Sequence, residues 1–199
     1  MTPERHLVVL LKAPRVGAVK RRLARGVGQV AAWAFYRRTA ARLLVRVGRD
    51  PRWRCRLAVT PDRFAREGRF WPAGIERLPQ GPGDLGRRMA RAMEAAPPGP
   101  VVLVGGDIPG LGAAHIQRAF DLLRHHDAVF GPATDGGYWL VGLAAHRRRL
   151  LTGLFDDVRW STGHALADTL ANLDGRRVAF LEPLRDVDTA ADLEAVRGS

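Results

Sequence analysis

Along the chain, short runs rich in apolar and β-branched residues alternate with longer stretches in which apolar positions recur every three or four residues. Runs of the first kind lie at 6–11 (HLVVLL), 55–60 (CRLAVT), 75–79 (IERLP), 100–105 (PVVLVG), 127–131 (DAVFG), 137–143 (GYWLVGL) and 177–181 (RVAFL). Their lengths and the turn residues that bound them predict strands. Helical spacing is read at 19–25, 29–47, 84–96, 112–125, 161–173 and 189–196. Gly26 and Gly28 separate the first two helices, and Pro97-Pro98-Gly99 stops the third. Alternation of this kind predicts an α/β fold. Strands such as VVLVG, apolar at every position, suit a mostly parallel sheet with helices on both faces. No repeat, low-complexity tract or linker interrupts the pattern, so residues 1–199 are expected to form a single doubly wound, Rossmann-like domain.

Composition changes this picture little. The 199 residues suffice for one substantial core, and 46% hydrophobic with 26% charged residues is ordinary for a globular chain. A single cysteine, Cys55, excludes an internal disulfide framework and suits a reducing cytoplasm. The apolar run before Lys12 is too short for a secretory core or a membrane span, so the expected location is cytoplasmic with no membrane partner.

The net charge of +12 raises nucleic acid as a partner. Yet the arginines are spread over RWRCR, GRRMAR, HRRRL and GRRVAF, with no aromatic-interleaved stripe. The reading is a generally basic surface that attracts small anions, and no nucleic-acid partner is expected. The six histidines lack metal-ligand spacing. No nucleophile elbow or Ser/His/Asp arrangement is legible, and Cys55 lies within a strand.

Candidate chemistry lies after the strands, where sheets of this type bind ligands. Of 32 basic residues only two are lysine, Lys12 and Lys20, both in KAPRVGAVKRRL after the first strand. A compact ammonium beside a glycine-bearing loop is a common phosphate holder. Pro14 and Gly17 shape that loop, and a helix start near Val19 would add backbone N–H groups. In QGPGDLGRRM, Asp84 is a helix N-cap candidate, and Gly83 and Gly86 would let a nucleobase approach the backbone. In VVLVGGDIPGL the strand delivers Asp107 several residues before the next helix, which favours a Mg²⁺ ligand over a helix cap. Asp135-Gly136-Gly137 is turn chemistry, and Tyr138 and Trp139 point to opposite faces of the strand that follows, one to the core and one to a ligand. Trp160-Ser161-Thr162 would cap the next helix. Of Asp186 and Asp188, one would supply a second metal carboxylate and the other a helix cap.

These segments together resemble a bacterial family of the nucleotide-diphospho-sugar transferase superfamily, with the glycosyltransferase A-type fold. Its pattern runs K-x-P-x-x-G-x-V-K-T-R-L, G-D-L-G-x-R-M, G-S-D-x-P-x-L, G-P-x-x-D-G-G-Y-x-L-x-G-L, W-S-T and D-x-D-T. The chain matches at Lys12, Pro14, Gly17, Lys20 and Arg22, then at Gly83 through Gly86 with Arg88 and Met89. Asp107, Asp135 through Tyr138, Trp160 to Thr162, Asp186 and Asp188 follow in order. It departs at Arg21, where threonine is usual, at Gly106, where serine is usual, and at Gly110, where an acidic residue is common. The resemblance implies relatives among molybdenum cofactor and phospholactate guanylyltransferases, and glycosyltransferase-like members as well.

The expected site follows. Lys12, Lys20 and Asp107 are the catalytic candidates, with Pro14, Gly17, Arg22, Gly83, Asp84 and Gly86 on the nucleotide. Asp107 and Asp188 are expected to hold Mg²⁺ or Mn²⁺. Asp135, Gly136, Gly137, Tyr138, Trp160, Ser161 and Thr162 are expected around the second substrate. The expected reaction is nucleotidyl transfer from a nucleoside triphosphate to a small phosphorylated or hydroxyl acceptor. Glycosyl transfer from a nucleotide sugar is the alternative, and nucleotide binding without turnover a third. The single aspartate at the strand tip and the two lysines favour a triphosphate over the Asp-x-Asp common in glycosyltransferases.

Overall fold

The computed structural model describes residues 3–68, 70–145 and 147–197, which leaves His146 of the HRRRL segment outside. Among the described residues seven strands are formed: β1 (His6–Lys12), β2 (Arg54–Thr60), β3 (Glu76–Pro79), β4 (Val101–Gly105), β5 (Ala128–Pro132), β6 (Tyr138–Leu143) and β7 (Val178–Phe180). The helices are α1 (Arg21–Val27), α2 (Gln29–Val47), α3 (Leu85–Glu94), α4 (Ala113–Leu122), α5 (Arg147–Leu151), α6 (Ala165–Ala171) and α7 (Ala190–Arg197). All seven expected strands are present. The expected helix at 19 begins at Arg21 and the one expected at 161 begins at Ala165. The sequence pattern missed α5 and a 3₁₀ turn at Asp62–Ala65, both too short to show a helical period.

The strands form one sheet in the order β3-β2-β1-β4-β6-β5-β7. Every pairing is parallel except those of β6 with β4 and β5. Alternate residues of β1 feed two cores. Leu7, Val9 and Leu11 pack with Leu43, Leu44 and Val47 of α2 and with Phe120 of α4 on one face. Val8 packs with Met89 and Met93 of α3 and with Leu150 and Leu151 of α5 on the other. Each such fully buried side chain is worth about 1.5–3 kcal/mol relative to exposure. Burial on both faces explains why these strands lack polar alternation.

Strand order reverses between β1 and β4, which marks the switch point where open α/β sheets bind ligands. Because β6 runs antiparallel, its first residue, Tyr138, pairs with Pro132 at the end of β5. The end of β1, the end of β4 and the start of β6 therefore share one edge of the sheet. Among the described residues no helix is long and apolar enough to cross a membrane.

Candidate active site

The segment after β1 is held from below by two aromatic residues of α2. Tyr36 receives the Lys12 backbone N–H (2.9 Å) and donates its hydroxyl to the Lys12 carbonyl (2.8 Å). Trp33 Nε1 donates to the Pro14 carbonyl at 2.9 Å. Burial, with Asp107 adding to it, pushes the Tyr36 phenol well above its ordinary range, so it stays protonated. Lys20 then takes a left-handed conformation (φ 45°, ψ 50°) as the residue preceding α1. Such backbone costs a non-glycine residue about 1–2 kcal/mol and persists only where its surroundings over-determine it. Here they do: the Lys20 side chain is 5% exposed, and its Nζ lies 2.7 Å from Asp107 Oδ2 and 2.8 Å from Asp188 Oδ1.

Asp107 follows Gly105 and Gly106 at the tip of β4. A Cβ on Gly106 would sit 2.0 Å from Leu11 Cδ2, so glycine at this departure from the family pattern lets β4 close on the β1 core. Asp107 caps no helix, since α4 begins at Ala113 behind Gly112. Asp188 precedes α7 and also accepts from Arg22. The cap expected of Asp186 or Asp188 belongs to another pair. Thr189 caps α7, and Asp192 accepts from the Thr189 N–H (2.8 Å) and hydroxyl (2.7 Å). That is a capping box, T-x-x-D, which the sequence carried and the reading overlooked.

The electrostatics are strongly coupled. Burial pulls the Lys20 ammonium down, but Asp107 and Asp188 outweigh it and leave its pKa raised. Burial pushes Asp188 up, and Lys20 and Arg22 reverse this to a net lowering. Among the described residues Asp186 has no such ion pair, only the more distant charge of Lys20. Burial, then the neighbouring Asp188 charge, lifts its carboxyl to about 6, against the pull of Lys20.

Two adjoining clefts open at this edge. The first, about 450 Å³, is lined by Lys12, Lys20, Arg21, Arg88, Gln80 and Asp107. The second, about 730 Å³, is lined by Asp135, Asp186, Tyr138, Trp139, Trp160 and Met89. Arg22, Leu85, Asp107 and Asp188 line both and form the wall between them. Lys12, Lys20 and Asp107 thus face one space. Gln80 is 3% exposed, with its Nε2 donating to the Leu11 (3.0 Å) and Ala58 (2.9 Å) carbonyls. Sequence reasoning missed Gln80, Trp33 and Tyr36. For the last two the signal was an aromatic pair three residues apart on α2.

Several residues expected on the nucleotide have structural contacts within their loops. Pro14 anchors Trp33, and Gly17 lies with Arg21 and Gln29 around a separate, smaller hollow. Asp84 caps α3 as expected, accepting from Arg87 N–H at 2.8 Å. The Gly83 carbonyl accepts from Arg88 Nε at 2.9 Å, so this loop orients Arg88. Gly86 does not open the backbone to a ligand. A Cβ there would meet Phe155 Cβ at 2.7 Å and Trp160 Cζ2 at 2.8 Å, so the glycine lets α3 pack against those rings.

On the second cleft, Asp135 accepts from the Gly137 N–H at 3.0 Å. Gly136, with φ +84°, lies against Gly163, whose carbonyl oxygen would be 2.3 Å from an added Cβ. Gly136 itself lies behind the cleft wall that Asp135, Gly137 and Tyr138 line. Tyr138 Oη is 3.3 Å from Thr169 Oγ1, and its ring stands edge-on to Trp160 at 6.3 Å between centroids. Tyr138 is thus the aromatic facing the cleft more openly, and Trp139 is 4% exposed. Trp160, Ser161 and Thr162 line the cleft but do not cap α6, which follows His164. Thr162 instead closes the preceding turn, donating to the Arg159 carbonyl (2.7 Å) and accepting from His164 N–H (3.2 Å).

The donor set fits a hard divalent cation. Asp107 and Asp188 already converge on one cation, the Lys20 ammonium. Mg²⁺ is commonly held by one or two carboxylates together with substrate phosphate oxygens. Among the described residues no group of three or more His, Cys, Asp or Glu side chains is arranged to hold a metal ion.

Comparison with known proteins agrees with this architecture. A protein of Desulfovibrio desulfuricans G20, provisionally named a nucleotide-diphospho-sugar transferase, superposes with a TM-score of 0.87 at 30% identity, over 98% of this chain and 87% of that one. The protein Rv0371c of Mycobacterium tuberculosis H37Rv, in complex with manganese, gives 0.60 at 17% identity over the whole of both chains. The 4-diphosphocytidyl-2C-methyl-D-erythritol synthase of Anaerococcus prevotii DSM 20548 gives 0.63 at 10% identity, over 98% and 97%. No curated protein is significantly similar in sequence. Residues 43–162 match the family described as "Uncharacterized protein conserved in bacteria (DUF2064)". The chain belongs to that family, on a fold of the nucleotide-diphospho-sugar transferase superfamily.

Proposed function

We propose that the protein is a divalent-metal-dependent nucleotidyltransferase, which moves a nucleotidyl group from a nucleoside triphosphate to a small acceptor. The observation that carries this reading is the Lys20 ammonium, held between Asp107 and Asp188 at the wall of a cleft that also takes Lys12 and Arg88. A triphosphate brings about four negative charges, and phosphoryl transfer is catalysed chiefly by positioning and charge stabilisation. Lys12, Lys20 and Arg88 would hold the phosphates in the first cleft. Asp107 and Asp188 would hold Mg²⁺ or Mn²⁺, which when bound neutralises charge on the phosphate oxygens. Relieved of that duty, the Lys20 ammonium is free to turn onto the phosphates. A unit charge pair at 4 Å and an effective dielectric of 20 is worth ~4 kcal/mol, so each cation is a substantial lever. Helix α3, which carries Arg88, and the buried Gln80 line the same cleft, where the base would sit.

The test is incubation with Mg²⁺ or Mn²⁺, each nucleoside triphosphate and a panel of acceptors, with pyrophosphate as the readout. Metal-dependent pyrophosphate release supports the reading. Tight metal-dependent nucleotide binding with no release against any acceptor would point to a nucleotide-binding protein without turnover. The name of the 30% identical Desulfovibrio protein favours a second reading, glycosyl transfer from a nucleotide sugar. Release of nucleoside diphosphate from nucleotide sugars, without pyrophosphate from triphosphates, would establish it instead.

A further inference from the structure

We infer that the second cleft receives an uncharged, polyhydroxylated acceptor, a sugar or polyol, rather than a phosphorylated one. The inference rests on nucleotidyl transfer as the reaction of the adjoining cleft. The chain as a whole carries +12, yet this cleft runs against that balance. Its walls present the carboxyl groups of Asp107, Asp135, Asp186 and Asp188, and among the described residues Arg22 is the one basic side chain lining it. That guanidinium is already paired with Asp188. A divalent cation on Asp107 and Asp188 would still leave Asp135 and Asp186 facing the space. A phosphate dianion placed there would meet like charge, with no convergent set of cations to hold it.

Hydroxyl groups are suited to the same walls. An O–H donates to a carboxylate, and its oxygen accepts from an N–H. The cleft also offers a hydroxyl of its own, since Ser161 lines it and is exposed. Tyr138 and Trp160, at 69° to one another, add aromatic surface for the C–H face of a sugar ring. In the reaction an acceptor hydroxyl oxygen attacks the α-phosphorus, and the bond from that phosphorus to the bridging oxygen breaks. Pyrophosphate leaves, and the hydroxyl proton passes to water by way of the carboxylates. The product is a nucleoside monophosphate joined to the acceptor by a phosphodiester.

The test uses the full chain with Mg²⁺ and a non-hydrolysable α,β-methylene nucleoside triphosphate. Nucleotide binding is measured first, by calorimetry, and its absence counts against the transferase reading alone. Saturation-transfer NMR then compares D-glucose, D-mannose and glycerol with their phosphate esters. Each uncharged compound that saturates is expected to bind at least about tenfold tighter than its ester. Asp135→Asn, which removes one carboxylate charge from the cleft wall, should narrow the gap between each uncharged ligand and its ester. Tighter binding of the esters, or no saturation by any uncharged probe, overturns the inference. Saturation of the sugar ring only when it is part of a nucleotide sugar also overturns it, and moves that ring to the donor of a glycosyl transfer.

Discussion

Lys20 Nζ lies 2.7 Å from Asp107 Oδ2, so the carboxylate at the tip of β4 is already occupied by an internal cation. The same ammonium reaches Asp188, 168 residues away in sequence. A divalent cation bound there would have to displace it, and displacement would free a positive charge beside the first cleft.

Lys20→Ala is expected to affect two ligands in opposite directions. Loss of the ammonium leaves two carboxylates facing each other, at a stability cost of about 1–3 kcal/mol once screening at the partly exposed aspartates is allowed for. Mn²⁺ should restore much of that loss in a thermal melt and bind the variant about tenfold tighter than the wild type, while nucleoside triphosphate binds more weakly. Equal Mn²⁺ affinity in the two proteins would show that the ammonium does not compete. Lys20→Arg keeps the charge but puts a planar fork into a slot built for an ammonium, and should also weaken the nucleotide.

Asp107→Asn preserves size and removes the charge. Metal-dependent nucleotide binding should fall by about a hundredfold or more, because a single charge pair at 4 Å is worth ~4 kcal/mol at an effective dielectric of 20. A titration in which Mg²⁺ still strengthens nucleotide binding to the same extent would remove Asp107 from the metal.

Gly136→Ala tests how the second cleft is built. The new methyl would need a left-handed backbone and would stand 2.3 Å from the Gly163 carbonyl oxygen. The turn that carries Asp135 must then separate from the segment that carries Trp160. A loss of about 1–3 kcal/mol in chemical denaturation is expected, with weaker second-substrate binding and nucleotide binding retained. Wild-type stability would mean that the two segments can part without cost.

The Trp160 segment is tied to α6 by Arg159, whose guanidinium and backbone N–H contact Asp168 at 2.8–3.0 Å. The hydrogen bonds from Arg159 hold the Asp168 carboxyl at about 2, below its ordinary 3.8. A carboxyl depressed in the folded state adds stability above its unfolded value, and that stability is lost as pH falls through the folded one. Asp168→Asn should therefore melt below the wild type near neutral pH, and the gap should close between pH 3.8 and about 2. A gap that stays constant across that window would assign the effect to packing.

Cys55 is buried in β2, and burial pushes its thiol up to about 12 despite Arg56 beside it. The native protein at pH 8 should react with an aromatic disulfide reagent far more slowly than the denatured chain does, because the thiolate is the reactive species. Equal rates would mean that β2 opens readily, and would remove the cysteine from the core.

The alternation of apolar runs and helical spacing carried the strands completely, because both faces of the sheet are covered and the runs admit little else. The concentration of both lysines at and just after the end of β1 and the delivery of Asp107 at the end of β4 were equally legible, since each depends on only a few consecutive residues. The short α5 and the turn at Asp62–Ala65 were not, for they make too few turns to show a period. Local reading also misassigned Gly86 and the cap of α7. The first is decided by Phe155 and Trp160, far along the chain, and the second by Thr189 and Asp192, which outcompete their acidic neighbours.

Residue order alone settled the α/β class, the strand positions and which charged groups stand at the strand tips. Folding decided which of those groups meet. It brought Asp188 across 168 residues onto the Lys20 ammonium, buried Gln80 against Leu11 and Ala58, and gathered four aspartates into one cleft of a chain with net charge +12. Such meetings depend on strand order and on an antiparallel β6, and these are set by how the two cores pack. Periodicity within a segment holds no information about that packing.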